Sequence, residues 1–280
     1  MREARGMRIN MKRIGKILFC FSVAVALSVV GNTWMAPRSE AWNAAADKAM
    51  VSSQTRDIKS RKAIKKGAKS RKNYKIALDA GHQRYANSGV EPVGPGSSTK
   101  KMKVAGGATG AATRTPEYKL TLKVAKKLKK ALIAKGYQVY MVRSTNNVNI
   151  SNKQRAVKAN KSGSDIYIRI HADASASSGV RGASMLYPSP SNRYVKSLSK
   201  PSKKLSECIL KSYCKKTGIQ SRGLIKRDDL TGTNWSKIPV TLIEMGFLSN
   251  ASEDRFMNRA ANQEKMAEGI ADGIDDYFGF

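Results

Sequence analysis

The chain contains only two histidines, and both stand where a predicted strand ends. His82 follows the apolar run 75–80, and His171 closes the alternating run 165–171. Ligands of α/β sheets gather outside the carboxyl ends of strands, so this pattern brings both imidazoles to one sheet edge. Glu117 begins the helix that follows the first strand and is expected to face the same edge. Two imidazoles and one carboxylate form the ligand set of a hydrolytic zinc site.

Glu117 is unusual because it lies on the apolar side of its helix. Thr115-Pro116-Glu117 predicts the helix start, with Thr as the cap and Pro in the first turn. At about 100° per residue, Glu117 shares a stripe with Val124 and Leu128. A helix amino terminus also favours negative charge, which gives Glu117 a structural explanation. From the residues alone, a zinc site and a structural role are equally open.

Glu244 is a fourth candidate because it nearly ends the otherwise apolar run 239–245. A carboxylate in such a strand is costly unless it has a partner. Three roles are open for it: a zinc ligand, a general base, or a salt bridge with an arginine. Zinc hydrolases often need a free carboxylate beside the metal to move a proton.

Strands and helices alternate from Tyr74 onward, which predicts an α/β domain with its sheet covered by helices. The apolar or alternating runs that predict strands are 75–80, 137–143, 165–171, 182–187 and 239–245. The periodic segments that predict helices are 115–135, 152–162, 193–217 and 261–278. The Gly- and Ser-rich segment 83–114 is predicted to be a long loop that borders a substrate groove.

The amino terminus has the features of a secretory signal. Six basic residues precede a mostly apolar, uncharged run at 17–31, and Ser39-Glu40-Ala41 offers a cleavage site. We therefore predict a signal peptide or signal anchor at 1–41, a basic disordered linker at 42–73 and a folded catalytic domain at 74–280. The protein is expected to be exported to the cell wall, and to stay at the membrane only if the signal is uncleaved.

Lys and Arg number 52 against 20 Asp and Glu, a net charge of +32. Such an excess attracts polyanions, namely nucleic acid, anionic lipid or acidic wall polymer. Export argues against nucleic acid, and no nucleic-acid-binding motif is present. We expect the basic linker and surface to contact anionic wall polymers, although the linker could equally be a simple solvated spacer.

Four separated segments carry a resemblance to a known family. They are LDAGHQ, RTPEYKLTLKVAKKLKKALIAKGYQVYMVRSTNN, QRAVKANKSGSDIYIRIHADAS and PVTLIEMGFLSN. In this order they resemble the zinc-dependent N-acetylmuramoyl-L-alanine amidases of the amidase-3 type. The resemblance implies one α/β domain with a mostly mixed, six-stranded sheet, and peptidoglycan as substrate. It also implies that His82, Glu117 and His171 bind one Zn²⁺ and that Glu244 is the catalytic carboxylate.

The chain departs from the family pattern near the second histidine. Arg169 stands where the family often has Ser, and Asp173 where it often has Asn. Arg169 shares a strand face with His171, so we expect it to contact either a substrate carboxylate or Glu244. Arg155 is a second candidate for substrate binding, although the family segment in which it lies favours a role in packing and hydrogen bonding. Asp79 and Asp173 flank the ligand histidines and are predicted to orient them.

Two other functions remain open on the sequence. One is a non-catalytic wall-binding protein that keeps the fold, which is disfavoured because all four candidate positions are present. The other is a different zinc hydrolase, such as a peptidase or deacetylase that acts on wall components. In each case we expect a monomer.

Overall fold

The computed structural model describes residues 70–280 together with Ser52. The predicted signal segment, 1–41, and most of the predicted linker, 42–73, lie outside the described residues. Within the part that is described, no helix combines the length and apolar character that a membrane span requires.

Eight strands form in the described residues: β1 (Lys75–Ala80), β2 (Asn87–Pro92), β3 (Lys100–Val104), β4 (Gln138–Met141), β5 (Ile166–Asp173), β6 (Ala183–Tyr187), β7 (Ser221–Lys226) and β8 (Val240–Phe247). The α-helices of this region are α1 (Glu117–Lys135), α2 (Asn152–Lys161), α3 (Ser199–Thr217), α4 (Thr231–Asn234), α5 (Ala251–Asn258) and α6 (Ala260–Phe278). Short 3₁₀ turns at Arg71–Asn73 and Lys196–Leu198 precede β1 and α3.

Six of the strands form one mixed sheet in the order β4-β1-β5-β8-β6-β7. The neighbouring pairs are parallel except β6 and β8, which are antiparallel. The prediction of an α/β fold with a mostly mixed, six-stranded sheet is therefore confirmed. The remaining strands, β2 and β3, form a separate antiparallel hairpin.

The two faces of the sheet are covered differently. Helices α1, α3 and α6 cover one face, where the buried side chains include Ile76, Leu78 and Ile168. Helix α2 packs on the other face over a smaller apolar cluster that includes Tyr167 and Val240. Because side chains alternate along a strand, every second residue of β1, β5 and β8 points to this less covered face.

That alternation places the candidate site residues together. Arg169 and His171 lie on the same face of β5 as Tyr167, two and four residues further on. Leu242 and Glu244 of β8 pair with them across the strand boundary. The register therefore brings Glu244 next to His171 near the carboxyl ends of neighbouring parallel strands.

Several predicted elements need correction. The predicted loop 83–114 contains the β2–β3 hairpin, and β7 was not predicted. The predicted helix 193–217 begins only at Ser199, and a short helix, α5, precedes the carboxyl-terminal helix. Thr115 does not cap α1, because Pro116 occupies the cap position and no side chain bonds there.

Candidate metal centre and cleft

The backbone turns sharply at His82, directly after β1. Its φ of 57° lies in the left-handed region, which non-glycine residues adopt at a cost in energy. The ring Nδ1 lies 2.9 Å from the carbonyl oxygen of Ala105, which follows β3. Because a carbonyl only accepts, Nδ1 donates and Nε2 keeps its lone pair for the site. The hairpin thus fixes the tautomer as well as the orientation of this imidazole.

Glu117 and His171 meet His82 at the sheet edge. His82 Nε2 lies 3.2 Å from Glu117 Oε2 and 3.2 Å from His171 Nδ1. His171 Nδ1 lies 3.1 Å from Glu117 Oε1. One donor atom from each of the three residues therefore falls within 4.8 Å of the other two.

The Glu117 carboxylate is held in place by backbone as well as side chains. The amides of Ala108 and Ala172 donate to it at 3.0 and 3.1 Å. Burial would raise the pKa of Glu117, but the contacts with the His171 and His82 rings outweigh it and lower the pKa. Glu117 is therefore an anion at neutral pH although it is 3% exposed.

The donor set fits a tetrahedral divalent ion such as zinc. Nitrogen and oxygen ligands about 2.0–2.1 Å from a tetrahedral ion lie about 3.3 Å from one another, close to the observed separations. Burial lowers the pKa of His171 to about 4, so this imidazole is neutral and can act as a ligand. The negative charge of Glu117 offsets part of the charge of a bound cation, which the imidazole ligands cannot do.

Two glycines leave no room for a side chain against these groups. A Cβ on Gly81 would lie 2.3 Å from Cε1 of His171. A Cβ on Gly107 would lie 2.9 Å from both Glu117 Oε2 and Cγ of His82, and its φ of +81° also favours glycine. Gly106, its neighbour, has nothing within 4 Å of a built Cβ. The backbone therefore approaches the site closely at Gly81 and Gly107 only because these residues lack a side chain.

Glu244 lies beside this set with little to satisfy its charge. Its Oε2 is buried and has no hydrogen-bond partner among the described residues. Burial, together with the negative charges of Glu117 and Asp173, raises the pKa of Glu244 well above its ordinary value. A carboxyl group in this setting accepts a proton readily near neutral pH.

His82, His171 and Glu244 open into one cleft of about 340 Å³, whereas Glu117 does not line it. Its polar and charged lining residues are His82, Lys101, Asn152, Arg169, His171, Arg227, Asp229, Thr231 and Glu244. Lys101 of the hairpin bonds to the carboxylate of Asp229 at 3.0 Å, and Arg227 bonds to the same carboxylate at 2.7 and 2.9 Å. The hairpin and the segment after β7 therefore meet at the rim of the cleft.

Asp79 lies below the site and does not contact either histidine. Its carboxylate accepts from Arg155 Nη1 at 2.7 Å, from Tyr167 Oη at 2.8 Å and from Arg169 Nε at 3.3 Å. Burial would raise the pKa of Asp79, but the charges of Arg155 and Arg169 outweigh it and lower the pKa to about 2. Asp79 therefore bonds to two buried arginines, Arg155 and Arg169, instead of making the predicted contact with the histidines.

Arg155 is fully buried, and its three nitrogens are all engaged by the chain itself. Besides Asp79, it donates to the carbonyl oxygens of Ala80 and His82 and to the side chain of Gln83. This placement fits a role in holding the turn that presents His82 better than the predicted contact with substrate.

Asp173 lies at the end of β5, where its carboxylate accepts from the amide of Ala174 at 2.8 Å. No hydrogen bond joins it to His171 among the described residues. Its charge nevertheless acts on Glu244. The carbonyl of Ala105 and the amides of Ala108 and Ala172 orient the ligands instead, and sequence reasoning missed all three because backbone groups leave no mark on residue type.

The fold and the site together define an α/β protein with a candidate metal centre of the hydrolytic type, two imidazoles and one carboxylate beside a second buried carboxyl group. Residues 76–276 match the family model described as N-acetylmuramoyl-L-alanine amidase. This chain belongs to that family.

Named relatives agree with this membership. The chain is 29% identical over 173 residues to the probable cell wall amidase LytH of Staphylococcus epidermidis, covering 60% of this chain and 54% of that protein. It is 30% identical over 162 residues to the N-acetylmuramoyl-L-alanine amidase LytC of Bacillus subtilis, covering 58% and 31%. The matched region thus spans about half or less of these relatives.

Solved structures show the same fold. The amidase Ami1 from Mycobacterium smegmatis superposes with a TM-score of 0.69 at 25% identity, covering 75% of this chain and 99% of that one. The N-acetylmuramoyl-L-alanine amidase from Clostridium difficile 630 gives a TM-score of 0.60 at 26% identity, covering 74% and 97%. The similarity therefore extends over nearly the whole of both solved domains.

Proposed function

We propose that this protein hydrolyses the amide bond between N-acetylmuramic acid and L-alanine in bacterial peptidoglycan. One zinc ion is held by His82, Glu117 and His171, and Glu244 is the general base. The observation that carries the proposal is that His82, His171 and Glu244, remote in sequence, line one cleft, with Glu117 in contact with both histidines. Family membership supplies the bond that is cut.

Zinc, when bound, supplies Lewis-acid activation of water and polarises the amide carbonyl. Glu117 contributes the negative charge of the ligand set and is fixed by the amides of Ala108 and Ala172. His82 is held by the Ala105 carbonyl so that Nε2 lies beside Glu117 and would be available as a metal ligand. The protein therefore presents its ligands in a fixed arrangement, and little reorganisation is needed on binding.

Glu244 accepts a proton from the attacking water at its carboxylate and later delivers one to the leaving amine of L-alanine. Its raised pKa suits both tasks, because a carboxyl group that titrates closer to neutrality is a stronger base and can still give up its proton. Its partner strand holds His171, which keeps the proton carrier beside the metal ligands.

Arg155 acts as a positioning residue in this proposal. It joins the buried Asp79 to the carbonyls of Ala80 and His82 and so fixes the turn on which His82 stands. Loss of this guanidinium would leave the buried Asp79 with one arginine instead of two and would release the turn.

We further propose that the catalytic domain, 74–280, acts outside the cell after export by the amino-terminal signal. The basic residues of 42–73 and of the domain surface would hold it on anionic wall polymers, with a strength that falls as salt rises. Peptidoglycan is the substrate of this domain, and the membrane is a site of residence only if the signal stays attached.

The test is to digest purified peptidoglycan with the zinc-loaded protein and to identify the products by mass spectrometry. The proposal expects free stem peptides that begin with L-alanine, and glycan strands of unchanged length. Free acetate would indicate a deacetylase, and shortened stem peptides would indicate a peptidase. Binding to the wall with no released product would indicate a non-catalytic protein, and each of these three results would overturn the proposal.

A further inference from the structure

Arg169 has a buried guanidinium in the floor of the cleft with one donor nitrogen left over. Its side chain is 4% exposed. Nε donates to Asp79 at 3.3 Å, and Nη2 donates to Asn152 Oδ1 at 2.9 Å. Nη1 has no hydrogen-bond acceptor among the described residues. It is nevertheless accessible to solvent, because the buried polar atoms without a partner do not include it. Nη1 is therefore an accessible donor without a partner, on a residue that lines the cleft.

The guanidinium is held in a fixed plane. Gly232 of α4 lies against one of its faces, so closely that a Cβ there would lie 2.6 Å from Cζ of Arg169. Asp79 and Asn152 hold two of its nitrogens from the side. A donor fixed in this way loses little conformational freedom when it binds an acceptor.

The carboxylates near Arg169 leave one of its nitrogens, Nη1, without an anionic partner. One carboxylate, Asp79, is shared between two guanidiniums, and Arg155 is the closer at 2.7 Å against 3.3 Å for Arg169. The nearby carboxylate of Asp229 is already paired with Lys101 and Arg227. Glu244 lines the same cleft, but no carboxylate bonds to Nη1 of Arg169 among the described residues, so this nitrogen can pair with an anionic ligand.

The position of Arg169 fits a group close to the bond that is cut. Arg169 and His171 are two residues apart on one strand face, which is about 7 Å. An extended peptide spans about 3.5 Å per residue, so a carboxylate on the residue after L-alanine lies about 7 Å from the scissile amide. A stem peptide that is bound at the candidate metal centre can thus place this carboxylate at Arg169.

We propose that Arg169 binds the free carboxylate of the stem-peptide residue that follows L-alanine, and so selects stems in which this group is a carboxylate over those in which it is a carboxamide. The inference rests on the proposed function, because it takes the position of the scissile amide from it. A guanidinium pairs with a carboxylate through charge-assisted hydrogen bonds, whereas a neutral amide offers one oxygen and no charge.

The test measures binding and needs no turnover. Two synthetic tripeptides serve as probes, L-Ala-γ-D-Glu-L-Lys and its counterpart with an α-carboxamide at the second residue, titrated calorimetrically into the full chain. We expect the wild type to bind the carboxylate form at least about tenfold more tightly. Equal affinity of the wild type for the two peptides would overturn the proposal.

Two variants assign the selectivity to this side chain. Arg169→Gln should lose the tenfold preference while its affinity for the carboxamide peptide stays within about twofold, and Arg169→Lys should keep part of the preference. Lys226→Gln removes the same charge from an exposed position and should keep the full preference. If Arg169 served only as a partner of Asp79, both peptides would weaken equally in Arg169→Gln, which would sink the proposal.

If Arg169→Gln does not fold, Arg169→Lys becomes the deciding variant. An unchanged preference for the carboxylate peptide in Arg169→Lys, together with an unchanged Kd for that peptide, would contradict a role for the planar guanidinium. Failure of the proposed function has a different signature. A protein without amidase activity would release no stem peptide from peptidoglycan, whatever the two tripeptides show. An amidase that treats both tripeptides alike would keep the function and lose the inference.

Discussion

Two carboxyl groups near opposite edges of the sheet have opposite environments. Asp275 of α6 lies by the amino ends of β1 and β4 and accepts from Arg71 at 2.8 Å, Lys135 at 2.8 Å and Tyr137 at 2.7 Å. Glu244 lies near the carboxyl ends of β5 and β8 with a buried oxygen that has no partner. Burial acts on both groups, but the three donors lower the pKa of Asp275, whereas the pKa of Glu244 is raised.

The difference separates a structural carboxylate from one that is available for chemistry. Every oxygen of Asp275 is used to join the carboxyl-terminal helix to the start of the domain. Oε2 of Glu244 makes no hydrogen bond among the described residues. Its burial therefore lowers the stability of the fold, which a purely structural residue would not do. Asp79 combines the two situations, since it is fully buried and yet as well partnered as Asp275.

The largest expected effect is on catalysis. Glu244→Gln should lower kcat by about 10²–10⁴-fold, because the amide cannot accept the proton. The same variant should unfold at the same temperature as the wild type or a higher one, since it removes an unpaired buried acid. Muropeptide release and a thermal melt check both halves. Full activity in this variant would remove Glu244 from the mechanism.

Asp79→Asn tests the carboxylate that combines the two situations. The change leaves Arg155 and Arg169 without their buried counter-charge, and we expect a loss of about 3–5 kcal/mol in the free energy of unfolding. Urea denaturation measures it. Glu207→Gln is a control, because its partner Lys203 and Glu207 itself are both about half exposed, and it should cost less than about 1 kcal/mol. Similar values for the two variants would show that the buried cluster is not a stabilising unit.

Because Gly107 lies close to the candidate ligands, we expect a substitution there to weaken metal binding, whereas the same substitution at Gly106 should not. Gly107→Ala should weaken zinc binding about 10–100-fold, since the new Cβ displaces Glu117 or His82. Gly106→Ala is the matched control, and its affinity should match the wild type. Competition with a chromophoric chelator gives the zinc dissociation constants of both variants. Equal zinc affinities of Gly107→Ala and Gly106→Ala would contradict the close approach of the Gly107 backbone to the ligands.

The free energy of unfolding should depend on pH through the buried, partnered carboxylate of Asp79. The folded pKa of Asp79 is lowered to about 2 from an ordinary value of 3.8. Its contribution is therefore complete above about pH 4 and is lost as the pH falls through 2, by about 2 kcal/mol in total. Urea titrations of wild type and Asp79→Asn at pH 5 and pH 2.5 should show the gap between them narrowing at the lower pH. A constant gap would contradict the charged state assigned to Asp79.

The smallest expected effect is at Asp275. Asp275→Asn should lower stability by about 1–3 kcal/mol, because three donors lose their charged acceptor. Its specific activity at a temperature well below unfolding should be unchanged. If the folded Asp275→Asn variant lost most of its activity, Asp275 would not be a purely structural carboxylate, and the contrast with Glu244 would fail.

Residue type and spacing predict that His82, Glu117 and His171 come together, whereas their roles follow only from the family resemblance. His82 follows β1 and His171 lies near the end of β5, and both strands are recognisable in the sequence by their apolar residues. Glu117 is recognisable because it places a carboxylate in the apolar stripe of α1. The strands β2, β3 and β7 were missed for a physical reason. Their side chains are largely exposed, as with the Lys-rich β3, so they lack the buried apolar face that marks a strand in sequence.

The partners of Asp79 could not be predicted from its position beside His82. They come from α2 and β5, which are remote in sequence, and only the register of β1 against β5 brings Arg169 opposite Asp79. The contact of His82 with Ala105 was missed for the same reason, since it depends on a hairpin that the sequence pattern does not reveal. Long-range pairing, rather than local propensity, decides which groups orient the ligands.

The most direct test of the account is the metal content of the purified chain. After exposure to zinc and removal of the unbound ion, atomic emission should find one zinc per wild-type chain, and His82→Ala and His171→Ala should hold far less while remaining folded by circular dichroism. A folded wild-type chain that retains no zinc, or histidine variants that retain as much as the wild type, would contradict the metal centre on which the proposed function depends.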